Sequence, residues 1–243
     1  MKNPLLSIVI PCFNEAENVI LVINRFQELM REYPDLNFEV LIIDGSSTDG
    51  TQDILKKHVT SLDTRRFKLI LQTQRGGYGK DIMAALSCAG GDVLCWTHAD
   101  MQTDPADVLR AFRLYLHFDD QKILIKGKRK NRRIIEAFFT FGMQIVVWLV
   151  LKTYLDDINA QPKMFSRQFY QDYLLDNPPD DFSLDLFAMY KAEKAHYKIK
   201  TLPVYFARRL YGEAKGGGSF QGRFRLIKRT FAYIFKLKEQ LKA

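Results

Sequence analysis

The segment WTHADMQTDP, residues 96–105, follows an apolar run and sets His98, Asp100 and Gln102 at alternate positions. Alternate residues of an extended chain point to one side, so an imidazole, a carboxylate and an amide oxygen can converge there. Such a donor set suits Mg2+ or Mn2+ bridging the phosphates of a diphosphate. The plainer reading is a turn in which Asp104 and Pro105 open a helix and Asp100 shapes the approach. LIIDGSSTDGT ends an apolar run on Asp44, where a carboxylate can accept hydrogen bonds from a nucleobase or ribose. Ser46, Ser47, Thr48 and Asp49 then supply a turn and a helix cap, but a cap does not explain a carboxylate closing the strand. In QRGGYGKD, glycines such as Gly77 permit a close backbone approach and Lys80 offers a charge to phosphate, although an ordinary turn explains the pattern equally well. IVIPCFNEAENV bends at Pro11 and Asn14 so that Asn14 and Glu15 face the same edge; a capped helix start is the competing account.

Those residues need elements to hold them. Apolar runs at 5–11, 38–44, 67–72, 92–97 and 122–127 read as strands, and helical patterns at 16–31, 51–58, 80–89 and after Pro105 lie between them. Strands that are apolar throughout and alternate with helices predict a mostly parallel α/β sheet, Rossmann-like, covered on both faces. The four polar clusters all fall just after strand ends, and in open α/β sheets that edge binds ligands. No internal repeat and no linker composition appears.

Composition narrows the setting. Apolar residues make up 47% of the 243 and charged residues 26%, which excludes disorder. Cys12, Cys88 and Cys95 are few and unevenly spaced beside apolar runs, so they are expected as buried free thiols in a reducing compartment. The first apolar run starts without a basic leader or a small-residue cleavage site, so no secretory signal is expected. AFFTFGMQIVVWLVL (137–151) is short for a spanning helix, which needs about 20 apolar residues, and is expected as a buried or interfacial helix. The net charge of +8 is concentrated in two places: six Lys/Arg among residues 126–133, and seven Lys/Arg against one Glu from Phe220 onward. Such blocks suit an anionic partner. In the tail, Phe220, Phe224, Ile227, Phe231, Ile234 and Leu241 recur at helical spacing between the basic residues. This predicts an amphipathic basic helix lying on an anionic membrane surface, or an apolar stripe packed on the domain or a second subunit. Nucleic acid is not an expected partner, because the basic clusters lack the aromatic stacking motifs of RNA-binding modules.

The order IVIPCFNE, IIDGSSTDGT, GGYGK, HADMQ resembles the family 2 glycosyltransferases of GT-A fold, and most of all their polyprenyl-phosphate (dolichol-phosphate mannose synthase-like) branch. IKGKRK, LDDINAQPKMF and LPVYFARRLYGEAKGG resemble later motifs of that branch, so the likeness spans roughly residues 5–218. It implies a catalytic domain over 1–218 and a C-terminal basic helix over 219–243, either part of the same unit or a surface anchor. It further implies that Asp44, with Pro11, Asn14, Glu15 and Ser46, lines the donor pocket, and that Asp100 with Gln102 holds the metal. Arg129 would meet the acceptor phosphate, with Arg132 or Arg133 as a second contact. Asp157 would act as base or acceptor orienter, Asp185 would face the site from a helix, and Arg209 and Lys215 would contact the donor diphosphate. Four positions depart from the pattern. His98 stands for the usual first Asp of the metal motif, and Gly45 where a second Asp is common. Gln161-Pro162 stand for Gly-Phe, and Ala214 for Ser.

The function implied is an inverting transfer of a sugar from a nucleotide-diphosphate donor to a polyprenyl phosphate, peripheral at the cytoplasmic face of a membrane. Two alternatives stay open: the same fold acting on the hydroxyl of a free or lipid-linked saccharide, and a non-catalytic sugar-nucleotide sensor. A lipid phosphate is already anionic and needs positioning; a hydroxyl acceptor needs a general base such as Asp157 or Asp185. A homo-oligomer is compatible with the sequence.

Overall fold

The computed structural model describes residues 4–118, 122–130, 134–207 and 220–240, with side chains outside 134–141, 220–227 and 240. The elements run β1 (Leu6–Cys12), α1 (Val19–Glu32), β2 (Phe38–Asp44), α2 (Thr51–Val59), β3 (Phe67–Leu71), α3 (Tyr78–Ser87), β4 (Val93–Trp96) and α4 (Ala106–Leu116). There follow β5 (Ile123–Lys130), α5 (Ile134–Leu151), β6 (Lys163–Ser166), α6 (Arg167–Phe169), a π-helical turn (Tyr170–Leu174), α7 (Leu184–Lys194), β7 (Lys198–Tyr205) and α8 (Phe220–Gln240).

The strands form one seven-stranded sheet in the order β3-β2-β1-β4-β6-β5-β7. β1 runs parallel to β2 and β4, and β2 to β3, so the loops after these four strands share one edge as expected. β6 is the exception, antiparallel to both β4 and β5. β2 and β4 are buried at every residue and β1 at all but Pro11, because both faces of the sheet are covered. One core joins Ile8, Ile10, Val40 and Cys95 to α1, α2 and α4. The other joins Val9, Leu41, Trp96 and Phe165 to α3, α5, α7 and α8. Successive strand residues face opposite sides, and each side has its own helices.

Several boundaries move for local reasons. α1 begins at Val19, not near Ala16, because the Asn14, Glu15 and Ala16 amides donate to Ser47, Thr51 and Asp49 of the next loop. β5 continues past Gly127 to Lys130 because Lys128, Arg129 and Lys130 stay paired with Pro203, Val204 and Tyr205 of β7. β7 is an edge strand in which Pro203 is tolerated.

Two expectations about the surface change. All three cysteines are free, yet Cys88 is exposed while Cys12 and Cys95 are buried. In α8, Ile234 and Leu237 are buried in the second core and Phe231 is half-buried, so this stretch of the apolar stripe faces protein. Among the described side chains, the large apolar groups open to solvent on α5 and α8 are Ile145, Trp148, Leu149 and Phe235. Among the described residues, no helix is long and apolar enough to cross a membrane.

Candidate active site

The loops after β1 and β2 are stitched to one another. Ser47 Oγ accepts from the Asn14 amide at 2.8 Å, and Asn14 Oδ1 accepts from the Thr48 amide at 2.8 Å. Asn14 can do this because its backbone is left-handed, φ +54°, a conformation Asn tolerates better than most residues. Glu15 is buried and accepts from Asn18 Nδ2 at 2.8 Å. Pro11 lies half-buried on β1 beside Ile43. Asp44 is fully buried: its Oδ1 accepts from the Ser47 amide and Gln52 Nε2, both at 2.8 Å, and its Oδ2 from Ser47 Oγ at 2.5 Å. Its carboxylate therefore faces the turn that follows it. Ser46, also left-handed at φ +67°, reaches the Thr73 carbonyl of the third loop at 3.4 Å.

The glycine loop is packed differently from the sequence reading. The Gly79 and Lys80 amides, at the start of α3, donate to the Asp180 carbonyl at 2.8 and 3.2 Å. Gly77 has φ +108°, and a Cβ on it would come within 2.5 Å of that same carbonyl. The close approach that needs glycine here is to the chain's own 179–181 segment. Lys80 itself is exposed.

The turn after β4 also departs from extended geometry. The strand ends at Trp96, and residues 99–103 form bends with Met101 at φ +56°. His98, Asp100 and Gln102 are half-buried at the edge, but not by strand alternation. Asp100 Oδ1 accepts from the Gln102 amide at 3.1 Å, and Gln102 is clamped to Ala207 by its carbonyl and its side-chain amide. Among the described residues no group of three or more His, Cys, Asp or Glu is placed to hold a metal. One carboxylate, an amide oxygen and an imidazole still fit a hard cation that takes its other oxygens from a bound diphosphate.

Beyond the sheet switch lies a compact cluster of charge. Asp157, 2% exposed and left-handed at φ +39°, grips Arg129 through three contacts: its Oδ2 accepts from the Arg129 amide at 2.8 Å, and its Oδ1 from Nε at 3.0 Å and Nη2 at 2.5 Å. Asp185, 1% exposed, gathers Trp96 Nε1 at 3.0 Å, Gln161 Nε2 at 2.9 Å and Lys163 Nζ at 2.8 Å on its Oδ1. Lys163 is fully buried and pairs in register with both Trp96 and Lys126. Lys126 is buried as well, donating to the Asp156 and Asp157 carbonyls. Burial and the neighbouring Lys163 bring its ammonium down to about 8, and burial likewise lowers Lys163 against the pull of Asp185. Tyr78 joins the two halves. Its hydroxyl accepts from Gln161 Nε2 at 3.2 Å, and its ring stacks on Phe182 and lies 6.4 Å from His98. Arg132, Arg133, Arg209 and Lys215 lie outside the described residues.

The sequence pattern of glycosyl transferase family 2 matches residues 7–173, more than half of the chain. The chain belongs to that family.

The undecaprenyl-phosphate 4-deoxy-4-formamido-L-arabinose transferase of Salmonella choleraesuis is 24% identical over 212 residues, covering 86% of this chain and 62% of the relative. The chain thus spans under two thirds of that relative's length. Among solved structures, a mannosyltransferase from Pyrobaculum calidifontis in complex with GDP-Man and Mn2+ superposes with a TM-score of 0.68 at 20% identity, over 97% of this chain and 65% of that one. Glucosyl-3-phosphoglycerate synthase from Mycobacterium tuberculosis, in complex with UDP, gives 0.72 at 14%, over 97% and 80%. These likenesses establish the GT-A fold for this family 2 chain.

Sequence reasoning missed four members of the cluster: Trp96, Lys126 as a buried group, Gln161 as a ligand of Asp185, and Lys163. A signal was present for one of them. Lys163 stands in an otherwise apolar KMF run, and a lysine there calls for a buried anion.

Proposed function

We propose that this protein transfers a sugar from a nucleoside-diphosphate donor to the phosphate of a polyprenyl lipid, inverting the anomeric carbon. The observation that carries this reading is the engagement of Asp157 and Asp185. A hydroxyl acceptor needs a general base, and these two carboxylates were its candidates. Both are buried and held against cations, Arg129 and Lys163. A phosphate monoester needs no base, since its second ionisation lies near pH 6 and it is anionic at neutral pH. It needs a fixed cation, and Arg129 is one, positioned by Asp157.

The acceptor phosphate oxygen attacks C1 of the sugar while the bond from C1 to the diphosphate oxygen breaks. The electron pair leaves with the nucleoside diphosphate, and one displacement inverts C1. Asp100 and Gln102, with His98 beside them, would hold Mg2+ or Mn2+, which when bound neutralises charge on the departing diphosphate. Arg129 orients the nucleophile. Asn14 and Ser46 tie the donor loops together, and Asp44 braces the turn between them. Arg209 and Lys215 belong to the donor diphosphate by resemblance.

The exposed faces of α5 and α8 support a position at an anionic membrane surface, which this reading takes to be the cytoplasmic one. Ile145, Trp148, Leu149 and Phe235 are exposed on α5 and α8, and the exposed Lys152, Lys228, Arg229 and Lys236 belong to the same elements or their ends. Apolar and aromatic groups among cations suit an anionic bilayer surface.

The test is incubation with radiolabelled UDP-, GDP- and dTDP-sugars, Mn2+ or Mg2+, and undecaprenyl phosphate, followed by solvent extraction. An acid-labile labelled lipid, absent with Asp100→Ala, is the expected product. Metal-dependent donor hydrolysis without a lipid product would move the acceptor to a saccharide hydroxyl. Neither product nor hydrolysis across the panel would leave a sugar-nucleotide sensor.

A further inference from the structure

One buried carboxylate at the donor edge has no assigned work. Asp81 lies in the first turn of α3 and is 4% exposed. Its Oδ1 is buried without a hydrogen-bond partner. Its Oδ2 occupies the space a side chain at position 45 would take: a Cβ on Gly45 would overlap that oxygen and lie 3.3 Å from Asp81 Cγ. Gly45 follows Asp44 directly, and its amide donates to the Cys12 carbonyl at 2.9 Å, so the group sits at the ends of β1 and β2.

Two planar groups lie at the same edge. The Arg75 guanidinium, from the loop after β3, lies 3.9 Å over the Phe13 ring, from the loop after β1. Because β2 lies between β1 and β3, that contact reaches across the end of β2, where Gly45 sits. The neighbouring Asp44 has both oxygens taken by Ser47 and Gln52. Asp81 is thus a carboxylate in this corner with a buried oxygen that the fold leaves without a donor. A buried acceptor without a donor is costly, and a group that persists in that condition is explained when a ligand supplies the donor.

We propose that Asp81 reads the base of the donor nucleotide, its carboxylate accepting the ring N–H of uracil, thymine or guanine over Gly45. This rests on the donor reading above and narrows it. Uracil and thymine carry that proton on N3 and guanine on N1. Cytosine N3 and adenine N1 present a lone pair instead, which a carboxylate repels. The donor class is therefore a UDP-, dTDP- or GDP-sugar, and CDP- and ADP-sugars are rejected.

The experiment is calorimetric titration of the full chain with UDP, dTDP, GDP, CDP and ADP, each with Mn2+. Wild-type protein is expected to bind at least one of the first three, with CDP and ADP about tenfold or more weaker. Loss of a hydrogen bond to a buried charged group weakens binding about ten- to a hundredfold, so Asp81→Ala should lose that much for the preferred nucleotide. Asp81→Asn, whose amide can donate to cytosine N3, should narrow the gap to CDP. The pair Gly45→Asp with Asp81→Ala returns a carboxylate to the same space and should regain affinity. Thermal melts check folding, and neither single variant is expected to melt earlier than wild type. Tight binding by wild type with unchanged affinities and preference in Asp81→Ala overturns the role of Asp81 alone. A wild-type preference for CDP or ADP overturns it too. No nucleotide binding by wild type overturns the donor reading and this inference together.

Discussion

The two halves of the proposed site, donor and acceptor, are built by different physics. On the donor side, the loops after β1 and β2 are held by bonds between backbone amides and short polar side chains: Asn14, Ser47, Asp49, Thr51. On the acceptor side, Asp157 and Asp185 are held in the interior by full charges on Arg129 and Lys163. Such hydrogen bonds contribute about 1 kcal/mol each, more where the Asp49 carboxylate accepts, and can be exchanged one at a time. A buried ion pair is nearly neutral as a pair but severe to break, so it fixes its members' positions more rigidly. The donor loops can lose one bond and keep the rest; the acceptor cluster presents charge in one place.

The largest expected effect lies on the acceptor side. Asp185→Ala strands Lys163 without its anion and should lower stability by about 3–5 kcal/mol in urea unfolding. The double change Lys163→Met with Asp185→Leu should recover most of that loss. Equal losses in the single and double variants would show that the two groups are not coupled. Next, Arg129→Lys removes the guanidinium fork that Asp157 grips. Transfer should fall about ten- to a hundredfold in kcat/KM with nucleotide affinity unchanged, a split that locates Arg129 on the acceptor half.

Asp81 gives a pH signature on the donor side. Burial and the nearby Asp44 raise its carboxyl to about 6, so the folded protein holds a proton that the unfolded chain has already released. Stability from this group therefore falls as pH rises from about 4 to about 6, and the loss persists above. Asp81→Asn removes the loss: it should raise stability by about 1–3 kcal/mol at pH 7.5 and by only a small fraction of that at pH 4. Unfolding titrations at the two pH values read the difference.

Smaller still, Asn14→Ala should cost about 1–2 kcal/mol, through the lost bond to the Thr48 amide and a left-handed backbone that Ala tolerates poorly. If it cost as much as Asp185→Ala, the contrast between the halves would fail. Least in stability is Trp148→Ser, within about 0.5 kcal/mol because the side chain is 55% exposed. Its effect should appear in sedimentation with phosphatidylglycerol vesicles, where the bound fraction drops.

The sequence by itself determined the parallel half of the sheet and its working edge. β1, β2 and β4 are mostly apolar and end in polar turns, a pattern set by burial on both faces and readable without any partner. It determined the family as well, through the order of motifs from IVIPCFNE to HADMQ. It could not reveal β6 and β7. One is four residues long with a buried lysine, and the other carries Pro203 at an edge, so neither shows the apolar run that marks a strand. Nor could it tell which charges are interior. Lys126 reads as one of six cations in a basic block, and only its register beside Lys163, with Asp157 below, shows it buried. Asp157 and Arg129 are 28 residues apart, and folding turned two separately predicted roles into one ion pair. Asp81 reads as an ordinary acid in the first turn of a helix, favoured there by the dipole. Only the packing of α3 on β1 and β2 sets its carboxylate in the space left by Gly45, because which groups meet across a sheet edge depends on tertiary contacts that no local pattern encodes.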